Sequence, residues 1–158
     1  MIENWLTKNI YGYSKLSSDL KQSIYHFSMI WSLFECYLFE NSFSVNKVLE
    51  KEIIITKPEE IYLPAYEYFK SRYIDGNGNT NKIFERLNFR GNDRKEYVVE
   101  NLLDDSPDII DTVKTMIIII YRLRNNLFHG LKWDIDFEDQ RDNFIHAARV
   151  MTKIIELN

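Results

Sequence analysis

The chain has 158 residues, the size of a single domain. With 45% hydrophobic and 15% aromatic residues it can bury a core, which excludes a disordered chain. A net charge of −4 excludes a global basic field, so any polyanionic partner has to be met by a local basic patch.

The elements read as helices almost throughout. The N-terminal MIENWLTKNI carries acids and amides where a signal peptide needs an apolar stretch. LSSDLKQSIYHFSMIWSLFECYLFE opens on the capping residues Ser17, Ser18 and Asp19 and runs with helical spacing to about Glu40. Within it, Cys36 is expected to be a small core residue and His26 a core or interface residue. A lone cysteine forms no internal disulfide, which fits a reducing compartment. NSFSVN breaks the pattern. A shorter helix from Val45 follows, although EIIIT is equally good strand sequence.

Pro58, Glu59 and Glu60 suit the first turn of a helix reaching about Ile74. DGNGNTN then reads as an internal linker, Gly76–Asn81. It fails the GxGxxG pattern because Asn81 stands where the third glycine belongs, and no lysine-serine or lysine-threonine pair follows. Short helices are expected over 82–87 and 94–103, and Pro107 starts a long apolar helix ending near His129, with Gly130 at C′. A last amphipathic helix spans about 137–157, with Phe137, Phe144, Ala148, Met151 and Ile155 as its buried stripe. There are no internal repeats. The expectation is an all-α bundle forming one domain, 1–158, with its core over about 17–157.

The long apolar helix carries the chemistry. In MIIIIYRLRNNLFHGLKW, Ile117 to Ile120 span about 300° of a helix, so one face is expected to meet the core and another a second copy of the chain. Met116 to Tyr121 is the longest uncharged apolar run, far below the roughly 20 residues of a membrane span. A cytoplasmic location without membrane association is therefore expected.

After the isoleucines come Arg122, Arg124, Asn125, Asn126 and His129. Histidine exchanges protons near neutral pH, and arginine grips a phosphate through a charge-assisted fork. Together they suit attack by an RNA 2′-hydroxyl on its neighbouring phosphate, with no metal or cofactor. Arg124 and His129 lie about 140° apart on an ideal helix, so a twofold-related pair of chains is one way to bring both kinds of group into one cleft.

YRLRNNLFHG resembles the Arg-x4-6-His signature of the HEPN family, all-helical domains found in many metal-independent ribonucleases. IWSLFE in an aromatic first helix, and an apolar helix leading into Arg-Asn, extend the likeness over roughly residues 21–157. The resemblance implies a HEPN-like helical bundle and a homodimeric endoribonuclease acting on RNA as a toxin or anti-phage effector. It also implies a possible cognate antitoxin or defence-system partner. Arg124, Asn125 and His129 would be catalytic, with Glu35, Arg122 and Asn126 in support. Leu131 stands where relatives encoded beside nucleotidyltransferase antitoxins have tyrosine, which argues against that pairing. The alternative is a non-catalytic HEPN module binding a nucleotide, RNA or a protein partner.

Other features read more plainly. RDNFIH, Arg141 to His146, also fits the bare Arg-x4-His pattern but continues an amphipathic helix, so a solvated face is expected. Ser28, Ser32 and Glu35 form a polar stripe that either faces solvent or lets Glu35 orient Arg124. DIDFED, Asp134 to Asp139, lacks the glycine of a calcium loop and suits a helix start. Arg86, Arg90, Arg94, Lys95 and Lys132 are the candidates for contacting an RNA backbone, diluted by Glu85, Asp93 and Glu96.

Overall fold

The computed structural model describes residues 1–129 and 138–158. Among them are eight α-helices: α1 Ile2–Asn9, α2 Ser18–Phe39, α3 Val45–Glu50, α4 Tyr62–Tyr73, α5 Lys82–Glu85, α6 Lys95–Leu103, α7 Ile109–Phe128 and α8 Arg141–Leu157. The fold is all-α. None of these helices is long and apolar enough to cross a membrane.

The helix ends follow from local side chains. Ser17 Oγ accepts the Leu20 amide at 3.2 Å to start α2, and Ser44 Oγ accepts the Lys47 amide at 3.2 Å to start α3. Asn81 Oδ1 takes the amides of Ile83 and Phe84, and Asp108 Oδ1 that of Ile110. The ambiguous 52–56 segment is neither helix nor strand, but an irregular stretch after α3.

The helix expected from Pro58 starts instead at Tyr62. Pro58–Glu60 form a turn, and Pro64 falls in the first turn of α4, where no amide donor is required. A helix begun at Pro58 would have set Pro64 in its interior, at the cost of an i→i−4 bond. The DGNGNTN segment links α4 to α5 as a tight turn. Asp75 Oδ1 accepts the amides of Asn77 at 2.9 Å and Asn79 at 3.0 Å, and Ile74 bridges Thr80.

α2 and α8 pair along their length, and α7 packs against α3, α4, α6 and α8. That central position is why α7 is apolar nearly all round. Ile117, Ile118, Ile119 and Ile120 are each 0% exposed. The expectation that one isoleucine would face a second copy is thus overturned, because one protomer supplies neighbours on every side. Each of these isoleucines contributes roughly 1.5–3 kcal/mol through its burial.

Two further expectations are corrected. The buried stripe of α8 is Phe144, Ala147, Met151 and Ile154, joined by Val150, while Ala148 and Ile155 are only partly covered. Its start near Phe137 lies outside the described residues. Cys36 is exposed rather than a core residue, and of the two places expected for His26 its exposure sets aside the core and leaves an interface, since the inward face of α2 is defined by Leu20, Phe27, Trp31, Phe34 and Leu38.

Candidate functional site

The C-terminal turn of α7 divides its polar residues between two sides. Arg122 and Asn126 are four apart and share a face. The Arg122 guanidinium, 2% exposed, pairs with Asp93 Oδ2 at 2.9 Å. It also donates to the carbonyls of Leu87 at 3.0 Å and Asn88 at 2.6 Å. Burial lowers the Arg122 pKa and the Asp93 charge opposes that shift, while an arginine stays protonated regardless. Asn126, 0% exposed, donates through Nδ2 to the carbonyls of Arg86 at 2.9 Å and Leu87 at 3.2 Å. Both side chains thus tie the 86–93 loop to α7. Sealed beneath that loop, they do not reach a ligand directly.

Arg124 lies on the other side, toward α2. Its guanidinium carbon sits 5.7 Å from the Trp31 ring centre and 5.1 Å from that of Phe128. Cations over aromatic faces are attracted by the ring quadrupole. One Nη donates to Asn125 Oδ1 at 3.0 Å, while Nε is buried without a hydrogen-bond partner. Trp31 is in turn fixed by Glu35, whose carboxylate accepts the indole N–H at 3.0 Å and the Phe43 amide at 3.4 Å. Glu35 is half-buried, so it does not belong to a freely solvated stripe. Its link to Arg124 runs through Trp31, and it forms no ion pair with Arg124 among the described residues.

His129 closes α7 as its C-cap, with φ −90° and ψ 9°, and its amide donates to Asn125 O at 2.9 Å. The residue is exposed. By helical phase it falls about 20° from Arg122 and about 140° from Arg124. Asn125, 7% exposed, lies between them. The structure therefore brings Arg124 and Asn125 into contact and sets His129 at the adjoining accessible helix end. Gly130, Leu131 and Lys132 lie outside the described residues.

The basic candidates also separate. Arg94 donates to Asn46 Oδ1 through Nε at 3.3 Å and an Nη at 3.1 Å, and Lys95 pairs with Glu85 at 3.0 Å. Arg86 and Arg90 are exposed, and their side chains have no ion-pair partner among the described residues.

The second Arg-x4-His match behaves differently from expectation. Arg141 and Asp142 are exposed, but His146 is half-buried and stacks on Tyr68 with ring centres 4.2 Å apart at 15°. Of the acidic tract, Asp139 pairs with Arg72 at 2.6 Å, and residues 134–137 lie outside the described set. Among the described residues no group of three His, Cys, Asp or Glu side chains is placed to hold a metal ion.

Grooves of about 500 and 400 Å3 flank α2 and α8, both lined by His26, Ala148 and Arg149. Neither includes Arg124, Asn125 or His129. The residues that the sequence reading passed over here are Trp31 and Phe128. Their signal was present: Trp31 and Glu35 are four apart, and Phe128 stands four after Arg124.

Comparison with protein-family models, curated proteins and solved structures finds no match for this chain.

Proposed function

We propose that this protein is a metal-independent endoribonuclease, with Arg124, Asn125 and His129 as its reacting groups. The reading is supported by two features of the last turn of one buried helix: an arginine braced by Trp31, Phe128 and Asn125, and an exposed histidine about 140° round the helix from it. In this reaction the RNA 2′-oxygen bonds to phosphorus as the bond from phosphorus to the 5′-oxygen breaks. His129 moves a proton at one of these oxygens, and Arg124 stabilises charge on the phosphoryl oxygens. The products are a 2′,3′-cyclic phosphate and a 5′-hydroxyl. The HEPN resemblance of YRLRNNLFHG supports the same chemistry, and with it a role as a toxin or defence effector acting with a cognate partner.

The 140° between Arg124 and His129 favours a cleft to which two copies contribute. The isoleucines do not supply its contact surface. Tyr25, Met29, Leu33 and Tyr37, spaced four apart on α2 and 43–70% exposed, are apolar area that such an assembly can draw on.

Purified protein incubated with mixed RNA in EDTA is expected to yield 2′,3′-cyclic ends. His129→Ala and Arg124→Ala should each lower the rate by about 10²-fold or more. Full activity in both folded variants overturns these roles. A second reading, a binding module without turnover, draws on the half-buried, aromatic-packed state of Arg124. RNA or nucleotide binding with no cleavage under any condition selects it.

A further inference from the structure

The loop over residues 86–93 is fastened to α7 with more polar bonding than a surface connection requires. Asn126 donates to the carbonyls of Arg86 and Leu87, and Arg122 to those of Leu87 and Asn88. Asp93 holds the far end, accepting from Arg122 at 2.9 Å and from the Arg90 amide at 2.7 Å. Asn88 sits at φ 54°, a left-handed turn that returns the chain toward α7. Asn126 makes these bonds while its own Oδ1 is buried and unpaired. Leaving a buried amide oxygen unpaired is destabilising, a cost that an apolar residue at this position would avoid.

The fastening fixes the backbone from which one cation projects. Arg86 is held through its own carbonyl to Asn126, and Asn126 and His129 are three apart, neighbours on the helix surface. Arg86 is exposed and has no ion-pair partner among the described residues, whereas Arg94 and Lys95 are engaged by Asn46 and Glu85. On the face carrying His129, Arg122 is neutralised by Asp93, so its charge serves the fold.

We propose that Arg86 binds a phosphate group of the nucleic-acid strand on the His129 face of the same chain, with Asn126 as its positioning residue. This rests on the reading of His129 as a reacting group, and adds a phosphate contact that Arg124, on the far side of α7, does not provide. Arg86 would hold the strand's backbone beside the imidazole, and Arg124 would act at the phosphate undergoing reaction.

The test uses a short 2′-O-methyl oligoribonucleotide, which binds without supplying the attacking hydroxyl. Its affinity is measured as a function of salt, and the His129 imidazole resonances are followed by NMR. Arg86→Gln is expected to weaken binding about tenfold and to reduce the slope of log affinity against log salt by about 0.7, the loss of one phosphate contact to a single strand. It should also shrink the ligand-induced shift at His129. Asn126→Leu, checked for folding by its melting curve, should reproduce the loss at His129 with Arg86 still present. Arg141→Gln, at an exposed arginine of α8, should leave both readouts unchanged. Unaltered affinity and salt slope in Arg86→Gln overturn the proposal. Cleavage is scored separately: a protein that binds the oligomer through Arg86 yet never cuts RNA refutes the ribonuclease reading alone.

Discussion

Arg122 and Asp93 form an ion pair 2.9 Å long whose side chains are 2% and 8% exposed, and it joins the middle of the sequence to the end of α7. A pair this dry adds little over a well-packed apolar pair, because desolvation of both charges offsets their attraction. Removing one partner is another matter. Asp93→Ala strands a buried guanidinium and also takes the acceptor from the Arg90 amide, so a loss of about 3–5 kcal/mol is expected in urea unfolding. The double variant Asp93→Ala/Arg122→Met should recover much of that loss, and an additive double variant would show that the two charges do not act together.

Glu35 is the acceptor for the indole N–H of Trp31, a side chain 3% exposed. Glu35→Ala leaves that donor unsatisfied and should lower stability by about 1–3 kcal/mol, whereas Glu35→Gln retains an acceptor and should lose less. Since the Trp31 face carries Arg124, the proposed ribonuclease activity of Glu35→Ala should fall in kcat more than it rises in KM, with the Gln variant close to the parent. Steady-state kinetics on one RNA substrate checks the split.

His146 gives the fold a pH dependence of known sign. Burial against Tyr68 and Phe69 pushes its pKa below the ordinary 6.5, the Arg149 charge adds to this, and Asp142 opposes it. Tyr68, itself pushed up to about 12 by burial, is neutral throughout this range. The unfolded chain therefore binds the proton more readily than the folded one. The stability associated with neutral His146 is present above pH 6.5 and is lost as pH falls through the lower folded value. Melting temperatures at pH 7.5 and 5.5 should differ by less in His146→Phe than in the parent, and an equal or larger difference would assign the dependence elsewhere.

The helical class, the capped start of α2 at Ser17 and the end of α7 near His129 were legible in the sequence because each depends on local spacing and capping chemistry. The start of α4 is not legible from Pro58 alone, because Pro64 six residues on fits only the first turn of a helix. The isoleucine run was legible as a buried segment but not as one protomer's centre, since helical phase says which sides are apolar and nothing about what covers them. The same limit applies to Arg122 and Asn126. Their spacing places them on one face of α7, but only the folded chain brings the 86–93 loop over that face. The cover of His146 is not legible from its own helix, because Tyr68 comes from a helix 78 residues earlier in the chain (146 − 68).

Cys36 stands on the outer face of α2, accessible and without another thiol in the sequence. A maleimide dye or nitroxide would therefore attach at one known position with no engineered cysteine. Between two labelled molecules, the separation of those probes becomes a ruler for whether, and through which side, the chains associate.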